Sequence, residues 1–572
     1  MRKLLSLLFI FALAGGFASH VQAQADDAGQ DVLIRAMKAE LARSVASLKL
    51  ADLEKPYFIE FALDDAEIYN AGATFGALTG AGRTRLRLFN PLVRVGNYDS
   101  DNSGYFSFGG GNRSGVGAQQ LVVDDDELAL RRDMWLAADA TYKQAAEQFA
   151  SKTTFLKNKV IEDKIPDFTK TTPTQEVLPR TSLQIDDARW AQAVREWSRL
   201  FRQYPEVQDS GITFEARAGN RYLLNSEGTL LRRPFALYTI TVQARAQAAD
   251  GMVLNHSRLI NVQSLKDLPS DAEVARVVQQ VAAEVTALRN APVFDTKYLG
   301  PVLLVNEAAG EFVAQMLAPN LSGERAPLVE EGFMMGGGRL DFADRLNRPV
   351  LSKFLTVYDD PTAKKDDGVD LFGTYRTDDQ GVPAQRVNLI ENGILRNLLM
   401  SRRPRKEFVQ SNGHARAASL GAPQARVSNL FVRARDGKSN GDLTQSFLKS
   451  CRELELPFCI KITALLPDPS PNGALLSSPL LAYKVFPSDG HEELVRGVQM
   501  GEVTLRMLRD ITAAGSDNFT YNTVLSGDYW RGGLPVSIST PSLVVEEMEM
   551  KKGTATQEKP ALLTHPFFSS GQ

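Results

Sequence analysis

The stretch GPVLLVNEAAGEFVAQM, residues 300–316, changes its pattern halfway along. Residues 300–305 form a short apolar run, which favours a buried strand. Residues 306–316 have the apolar spacing of a short helix, so the stretch predicts a strand that leads directly into a helix. Glu307 and Glu311 are four residues apart and therefore share one face of that helix.

Downstream of this stretch, the sequence alternates between short apolar runs and turn residues. Residues 351–361, 373–399 and 541–550 are examples of expected strands and turns. One further helix is predicted at 493–514. The second half should therefore be rich in β-structure.

Upstream of the stretch, helical and strand patterns are mixed. Turn residues divide 211–263 into a meander of strands, and 57–63 alternates like a strand. The Gly-, Ser- and Asn-rich segment 71–123 is broken by short apolar pieces and is expected to form strands, including 87–99, and long loops. Helical spacing predicts helices at 32–50, 124–159, 186–204 and 271–289, the last with a capping box formed by Ser270 and Glu273. These patterns predict an α+β chain of two domains, 26–295 and 296–572.

The first 25 residues have the pattern of a cleavable secretory signal peptide. A basic pair, Arg2 and Lys3, precedes the apolar run 4–17, and small and polar residues follow at 19–25. The apolar run is shorter than the roughly 20 residues that a spanning helix needs, although an uncleaved anchor is the alternative. We expect a periplasmic or extracellular protein with no membrane span after cleavage.

Composition and cysteine usage narrow the function classes. The formal net charge of −3, without an extended Lys- and Arg-rich surface, argues against a nucleic-acid partner. The only two cysteines are Cys451 and Cys459, and export makes a disulfide between them plausible. Two buried free thiols are the alternative, and neither arrangement resembles a Cys-rich zinc site.

No common hydrolytic motif is present. The sequence contains neither His-Glu-x-x-His nor Gly-x-Ser-x-Gly. The histidines that remain after signal cleavage are isolated from one another. Among them, His414 lies in a Gly-bounded turn, SNGHARA, where it could act as a ligand or catalytic group or hydrogen-bond within the loop.

Several stretches together resemble the TldD/PmbA family, whose members include zinc metallopeptidases. They are GPVLLVNEAAGEF, VYDDPTAKKDDGVDLFGTYRTDDQGVPAQRV, ENGILRNLLMSRR, SNGHARA and PSLVVEEMEMKK, in this order along the chain. The resemblance implies an N-terminal sheet-plus-helices domain and a β-rich, barrel-like or sandwich-like C-terminal domain. It also implies a homodimer or a heterodimer with a TldD/PmbA relative, since some family dimers pair a zinc-bearing subunit with one that lacks the ligands.

The family's zinc motif is not preserved. Peptidase members carry His-Glu-x-x-x-His and a downstream cysteine, and only Glu307, the general-base position, matches here. Asn306 and Glu311 occupy the two histidine positions, and no cysteine lies shortly before the terminal strand. Zinc favours nitrogen and sulfur ligands, so this replacement should greatly weaken its binding.

The two glutamates of the motif leave three roles open. Glu307 and Glu311 could help to hold a harder ion such as calcium or manganese, or work as an acid/base pair, or be solvated or ion-paired carboxylates. The family's usual activity implies a metallopeptidase-related protein acting on peptides outside the cytoplasm, with Glu307 as base. The missing ligands favour a non-catalytic peptide-binding or regulatory partner of a competent peptidase.

Overall fold

The computed structural model describes most of the 572-residue chain. The described residues are 29–50, 53–106, 117–157, 159, 164–329, 342–418, 420–466, 475–525, 533–554, 557–559, 561 and 563–568. The expected signal peptide, 1–25, lies outside these ranges. Within them, no helix is long and apolar enough to cross a membrane.

Six α-helices lie in the described ranges, and four of them match the helices predicted in the first half. At α4, the Ser270 side chain accepts from the backbone N–H of Glu273 and the Glu273 side chain caps Ser270 in return, which confirms the capping box. The helices are α1 (Val32–Ser47), α2 (Glu127–Lys157), α3 (Asp187–Arg199), α4 (Asp271–Asn290), α5 (Glu307–Phe312) and α6 (Asn440–Glu453).

All strands of the first half except β3, which pairs with residues 328–329 of the second half, build one largely antiparallel sheet. Their order is β4-β2-β1-β6-β7-β5, with β8 also paired to β7, and β6-β7-β8 form the predicted meander. The strands are β1 (Pro56–Thr74), β2 (Ala77–Val95), β3 (Tyr105–Phe106), β4 (Gln119–Gln120), β5 (Gln175–Val177), β6 (Val207–Asn225), β7 (Leu230–Gln247) and β8 (Val253–Val262).

The strands expected from residue 71 onward are present, and the first of them are longer than their short apolar pieces indicate. β1 and β2 form a hairpin of two 19-residue strands, joined at Phe75 and Gly76, both with positive φ. Local sequence does not indicate this length, because Gly and Ala have weak strand preference. The length comes from tertiary pairing, since β1 is hydrogen-bonded to β2 on one side and to β6 on the other.

The two faces of this sheet differ in character. All four helices of the first half pack on one face, α1 and α2 against one end of the strands and α3 and α4 against the other. Alternate residues on the opposite face are polar, including Asp64 on β1 and Arg217 and Arg221 on β6. The side chains of Arg221 and Arg233 reach residues 377–417 from this face, so it meets the second half of the chain.

The second half forms a mostly antiparallel sheet around the long strand β24. The order is β15-β14-β11-β18-β24-β9-β19-β20-β21, and β22 and β23 also pair with β24. Outside this sheet, β10 pairs with β3, β12 with β13, and β16 with β17. The sheet is open, so the described residues fit the sandwich-like alternative and not the barrel. The strands are β9 (Tyr298–Leu304), β10 (Leu328–Val329), β11 (Leu355–Asp359), β12 (Lys365–Asp366), β13 (Val369–Asp370), β14 (Val387–Glu391), β15 (Ile394–Leu395), β16 (Ala415–Arg416), β17 (Gln424–Ala425), β18 (Asn429–Ala434), β19 (Cys459–Leu465), β20 (Pro479–Val485), β21 (Glu492–Val495), β22 (Val498–Met500), β23 (Ile511–Leu525) and β24 (Leu534–Lys552).

The predicted helix at 493–514 was wrong. This segment holds most of β21, all of β22, a single 3₁₀ turn at Leu505–Leu508 and the start of β23. Gly497, with φ +71°, breaks the helical path, and β22 and β23 both hydrogen-bond to β24. Tertiary strand pairing therefore overrides the helical spacing.

Candidate functional site

Helix α5 begins directly after β9 and packs against β19, β23 and β24. Asn306, at the junction, has φ +49° and ψ −116°, a backbone conformation that residues other than glycine rarely adopt. Its exposed side chain makes no capping hydrogen bond. Further along, a Cβ on Gly310 would lie 2.6 Å from the Cβ of Tyr521, so glycine is what allows β23 to lie this close to the helix.

Glu307 faces the first half of the chain, where it joins a group of charged side chains. Arg258 on β8 donates to Glu307 (Nη1–Oε2 3.2 Å) and to Glu284 on α4 (Nη2–Oε1 3.2 Å). His256, two residues before Arg258, lies 2.5 Å from Glu284 through its Nε2 atom. Arg258 thus bridges two carboxylates that belong to different halves of the chain.

The two carboxylates of this group have opposite proton affinities. Partial burial raises the pKa of Glu307, and the nearby Arg258 and His256 offset this only in part. Burial would raise the pKa of Glu284 too, but hydrogen bonds from His256 and Gln280, with the charge of Arg258, lower it to about 2. Glu284 is therefore a permanent anion at neutral pH, whereas Glu307 is the more readily protonated group.

Glu311 lies on the same helix but in a different environment. Only 3% of its surface is exposed, and its Oε1 accepts a short hydrogen bond from the hydroxyl of Tyr521. Its Oε2 accepts from Gln315 (Nε2–Oε2 3.0 Å), whose Oε1 in turn accepts from the backbone N–H of Ser477. Burial and the neighbouring Glu311 carboxylate raise the pKa of Tyr521, so its hydroxyl stays protonated and donates. Glu311 is therefore a buried, hydrogen-bonded carboxylate.

His414, the other candidate from the sequence, lies away from solvent within the second half. It and Asp359 are fully buried, and their contact is 3.0 Å (Nε2–Oδ1). The backbone N–H and hydroxyl of Ser428 also donate to Asp359, and Nδ1 of His414 lies 3.0 Å from the carbonyl of Asn412. These contacts fit the alternative in which His414 hydrogen-bonds within its loop, because no solvent-accessible ring atom remains to bind a ligand.

Cys451, on α6, and Cys459, at the start of β19, form a disulfide with Cα atoms 5.9 Å apart. Both are fully buried in a small apolar cluster with Phe447, Val485 and Val544. Both sulfur atoms are thus held in the disulfide, and neither is available as a thiolate ligand for zinc.

Parts of the sequence are similar to known metallopeptidases and metalloproteases. The family model described as the PmbA/TldA metallopeptidase C-terminal domain matches residues 296–455. A metalloprotease of Methanocaldococcus jannaschii is 33% identical over 136 residues, which are 24% of this chain and 27% of that protein. A metalloprotease of Methanothermobacter thermautotrophicus is 27% identical over 233 residues, 40% of this chain and 47% of that protein. The matched part of the chain therefore spans less than half the length of these relatives.

Solved structures extend the likeness to nearly the whole fold. TldE from Thermococcus kodakarensis superposes with a TM-score of 0.56 at 13% identity, covering 90% of this chain and 100% of that one. The sequence match to the TldD/PmbA family covers residues 296–455, and the fold of nearly the whole chain is that of TldE. A structure of Thermotoga maritima titled as a putative modulator of a DNA gyrase gives a TM-score of 0.57 at 14% identity, with the same two coverages. At these identities the structures show a shared fold.

The zinc positions of the TldD/PmbA family can now be tested against the donors present. By the sequence resemblance, Asn306 and Glu311 stand at the two histidine positions. Asn306 offers only an amide, and the carboxylate of Glu311 is buried and accepts a hydrogen bond from Tyr521. Among the described residues, no group of three or more His, Cys, Asp or Glu side chains is placed to hold a metal. The family relatives named metalloproteases imply a metal by resemblance, but these donors do not fit zinc.

Sequence reasoning missed the group formed by His256, Arg258, Glu284 and Glu307. In the sequence, His256 is an isolated histidine, because its partner Glu284 is 28 residues away on another element. The one available signal was the sequence of β8, HSR, which places two basic side chains on the same face of a strand.

Proposed function

We propose that this TldD/PmbA-family, metallopeptidase-related protein works outside the cytoplasm as a non-catalytic member, which binds peptides or regulates a competent family peptidase as its partner subunit. The observation that carries the proposal is the state of Glu311. At a position where the peptidase members have a zinc-binding histidine, this chain has a carboxylate that is buried and occupied by Tyr521 and Gln315.

The chemistry of the replaced positions supports this. A catalytic zinc site uses three protein ligands, mostly nitrogen or sulfur, and leaves one position open for water. To bind an ion, Glu311 would have to give up the Tyr521 hydroxyl, which would then be left buried without its acceptor. Asn306 would contribute only a neutral amide.

The proposed location outside the cytoplasm is supported by the sequence of residues 1–25. The disulfide of Cys451 and Cys459 is consistent with it, because such bonds persist mainly in oxidising compartments.

A second function, a hydrolase that uses Glu307 as general base, has one observation in its favour. The pKa of Glu307 is raised and its side chain is 37% exposed, so it could take up a proton from a water molecule that reaches it from solvent. Its ion pair with Arg258 works against this role, because the pair stabilises the charged carboxylate.

The deciding experiment measures metal content and peptide cleavage of the mature protein. We expect substoichiometric zinc by plasma mass spectrometry and no chelator-sensitive cleavage of unfolded peptides. Stoichiometric metal with chelator-sensitive cleavage would overturn the non-catalytic proposal. Cleavage that is lost in Glu307→Gln but kept in the matched control Glu453→Gln, an exposed glutamate at the end of α6, would establish the hydrolase instead.

The partner role is tested by co-expression with a family relative from the same genome that keeps His-Glu-x-x-x-His. We expect a stable complex in size-exclusion chromatography and a changed rate of peptide cleavage by the relative. Separate elution together with an unchanged rate would remove the partner role.

A further inference from the structure

A cavity of about 400 Å³ lies where the polar face of the first sheet meets the second half of the chain. Arg217, Arg221 and Arg233 line it from β6 and the β7 region, and Asp378, Asp379 and Arg416 line it from the other side. Phe235, Leu534 and Pro535 add an apolar wall. This mixture of a few charged groups with an apolar wall is typical of small-ligand sites.

Arg217 is the exceptional member of this lining. Only 8% of its surface is exposed, yet within the described ranges its guanidinium has no hydrogen bond or ion pair, and its buried Nε atom has no acceptor. The ring of Phe235 lies 5.6 Å from the guanidinium carbon, and the charges of Asp64 and Glu215 act on it without a direct hydrogen bond or ion pair in the described residues. A buried guanidinium without a hydrogen-bonded partner is costly, so native proteins seldom keep one without a reason.

The carboxylates that line the cavity with Arg217 are already engaged, and Glu215, on the same face of β6, is exposed, lies outside the lining and makes no direct ion pair with Arg217 in the described residues. Both oxygens of Asp64 accept from Arg221 at 2.8 Å. Asp379 accepts from Arg233 at 2.8 Å, and Asp378 accepts from the backbone N–H groups of residues 380, 382 and 415. Four arginines and three aspartates line the cavity, so the lining carries one net positive charge, which the exposed Glu215 offsets only through solvent.

We propose that this cavity binds a carboxylate group, held by the guanidinium of Arg217, and that the carboxylate belongs to a short peptide. A planar guanidinium with free N–H groups matches the two oxygens of a carboxylate. One negative charge balances the net positive charge of the lining, whereas a doubly charged phosphate would be repelled by the three aspartates. The volume suits about two amino-acid residues, with a side chain against Phe235 and Pro535.

The choice of a peptide as the carrier of the carboxylate rests on the proposed function. The carboxylate site itself rests only on the cavity and on Arg217. A non-peptide carboxylate in the experiment therefore separates a failure of this site from a failure of the proposed function.

Isothermal titration calorimetry of the full mature protein tests the site with five probes. They are N-acetyl-alanyl-phenylalanine as the free acid, the same dipeptide as its amide, N-acetyl-glutamyl-phenylalanine amide, hydrocinnamate and inorganic phosphate. We expect the free acid to bind the wild type and to bind Arg217→Met about 10- to 100-fold more weakly, because the variant cannot form the charge-assisted hydrogen bonds to the carboxylate. The amide of the first dipeptide should show the same weakening in the wild type. The matched control, Arg276→Met on the exposed face of α4, should bind like the wild type.

A thermal unfolding scan of the unliganded variants distinguishes ligand binding from a structural role. Arg217→Met removes an unpaired buried charge, so its Tm should equal or exceed that of the wild type. A clear fall in Tm together with unchanged affinity would identify a structural arginine and overturn the proposal.

The remaining outcomes are equally decisive. Binding by N-acetyl-glutamyl-phenylalanine amide alone would support the site and assign the carboxylate to a side chain rather than to a peptide C-terminus. Binding of hydrocinnamate with Arg217 dependence, but of no dipeptide, would support the site and count against peptide binding as the function. Equal affinity for free acid and amide, tighter binding of phosphate, or no binding by any carboxylate would overturn the proposal.

Discussion

Replacing Glu311 by Ala should destabilise the protein far more than the same change at Glu307, although the two glutamates lie four residues apart on α5. Glu311 is buried and accepts from Tyr521 and Gln315, and hydrogen bonds to a charged group contribute about 1.5–3 kcal/mol each. Glu311→Ala should therefore lower the free energy of unfolding by about 3–5 kcal/mol. Glu307 makes one ion pair at a partly exposed position, so Glu307→Ala should cost less than about 1 kcal/mol.

The conservative variant Glu311→Gln sharpens the comparison. Its amide oxygen could still accept from Tyr521, but its NH₂ group would face the Nε2 atom of Gln315. Gln315 cannot simply turn over, because its Oε1 atom accepts from Ser477 N–H at 2.8 Å. The new amide can instead turn so that its oxygen accepts from Gln315 and its NH₂ group donates to the Tyr521 hydroxyl, which can also accept. Both contacts then persist as weaker, neutral hydrogen bonds, and the expected cost is about 1–2 kcal/mol.

The assay is urea unfolding followed by far-UV circular dichroism, with hydrogen exchange of the peptide 307–317 as a local readout. The expected order of transition midpoints is wild type, then Glu307→Ala, then Glu311→Gln, then Glu311→Ala. Equal midpoints for the two Ala variants would refute the reasoning that Glu311 is a buried structural group. A metal-dependent midpoint lost only in Glu311→Ala would show instead that Glu311 is a ligand.

Three further perturbations test other parts of the structure. Because the folded-state pKa of Glu284 is lowered to about 2, its stabilising contribution is complete above pH 4.5 and is lost as the pH falls toward 2. In Glu284→Gln, the free energy of unfolding should therefore fall by about 3 kcal/mol less than in the wild type over this pH range. Urea melts that show the same pH dependence of stability in both proteins would contradict this. Replacing Cys451 and Cys459 together by Ser should cost about 2.5 kcal/mol by the loop-entropy estimate, and a reductant that lowers the wild-type Tm should leave this variant's Tm unchanged. His414→Ala should cost about 3 kcal/mol, since it removes a fully buried hydrogen-bond partner of Asp359 and leaves a cavity; an unchanged unfolding midpoint would argue against the structural role.

The helices and strand types were largely predictable because their signals are local. The capping box at Ser270 fixed the start of α4, and apolar spacing gave α1, α2 and α3 to within a few residues. Local patterns predicted the wrong element at 493–514 and did not indicate the length of the β1–β2 hairpin. In both places the deciding hydrogen bonds come from strands distant in sequence, which spacing cannot reveal.

By itself, the sequence determined most of the helices, the family resemblance and the presence of Asn306 and Glu311 where that resemblance places histidines, since each depends on residue identity and local spacing. Only the tertiary structure decided what the remaining charged groups do. Glu311 accepts from a tyrosine 210 residues away, His256 pairs with a carboxylate on another element, and Arg217 has no hydrogen-bond partner in the described ranges. The physical reason is that a carboxylate or guanidinium takes its pKa and its role from burial and from the charges around it, and both are set only when distant segments pack together.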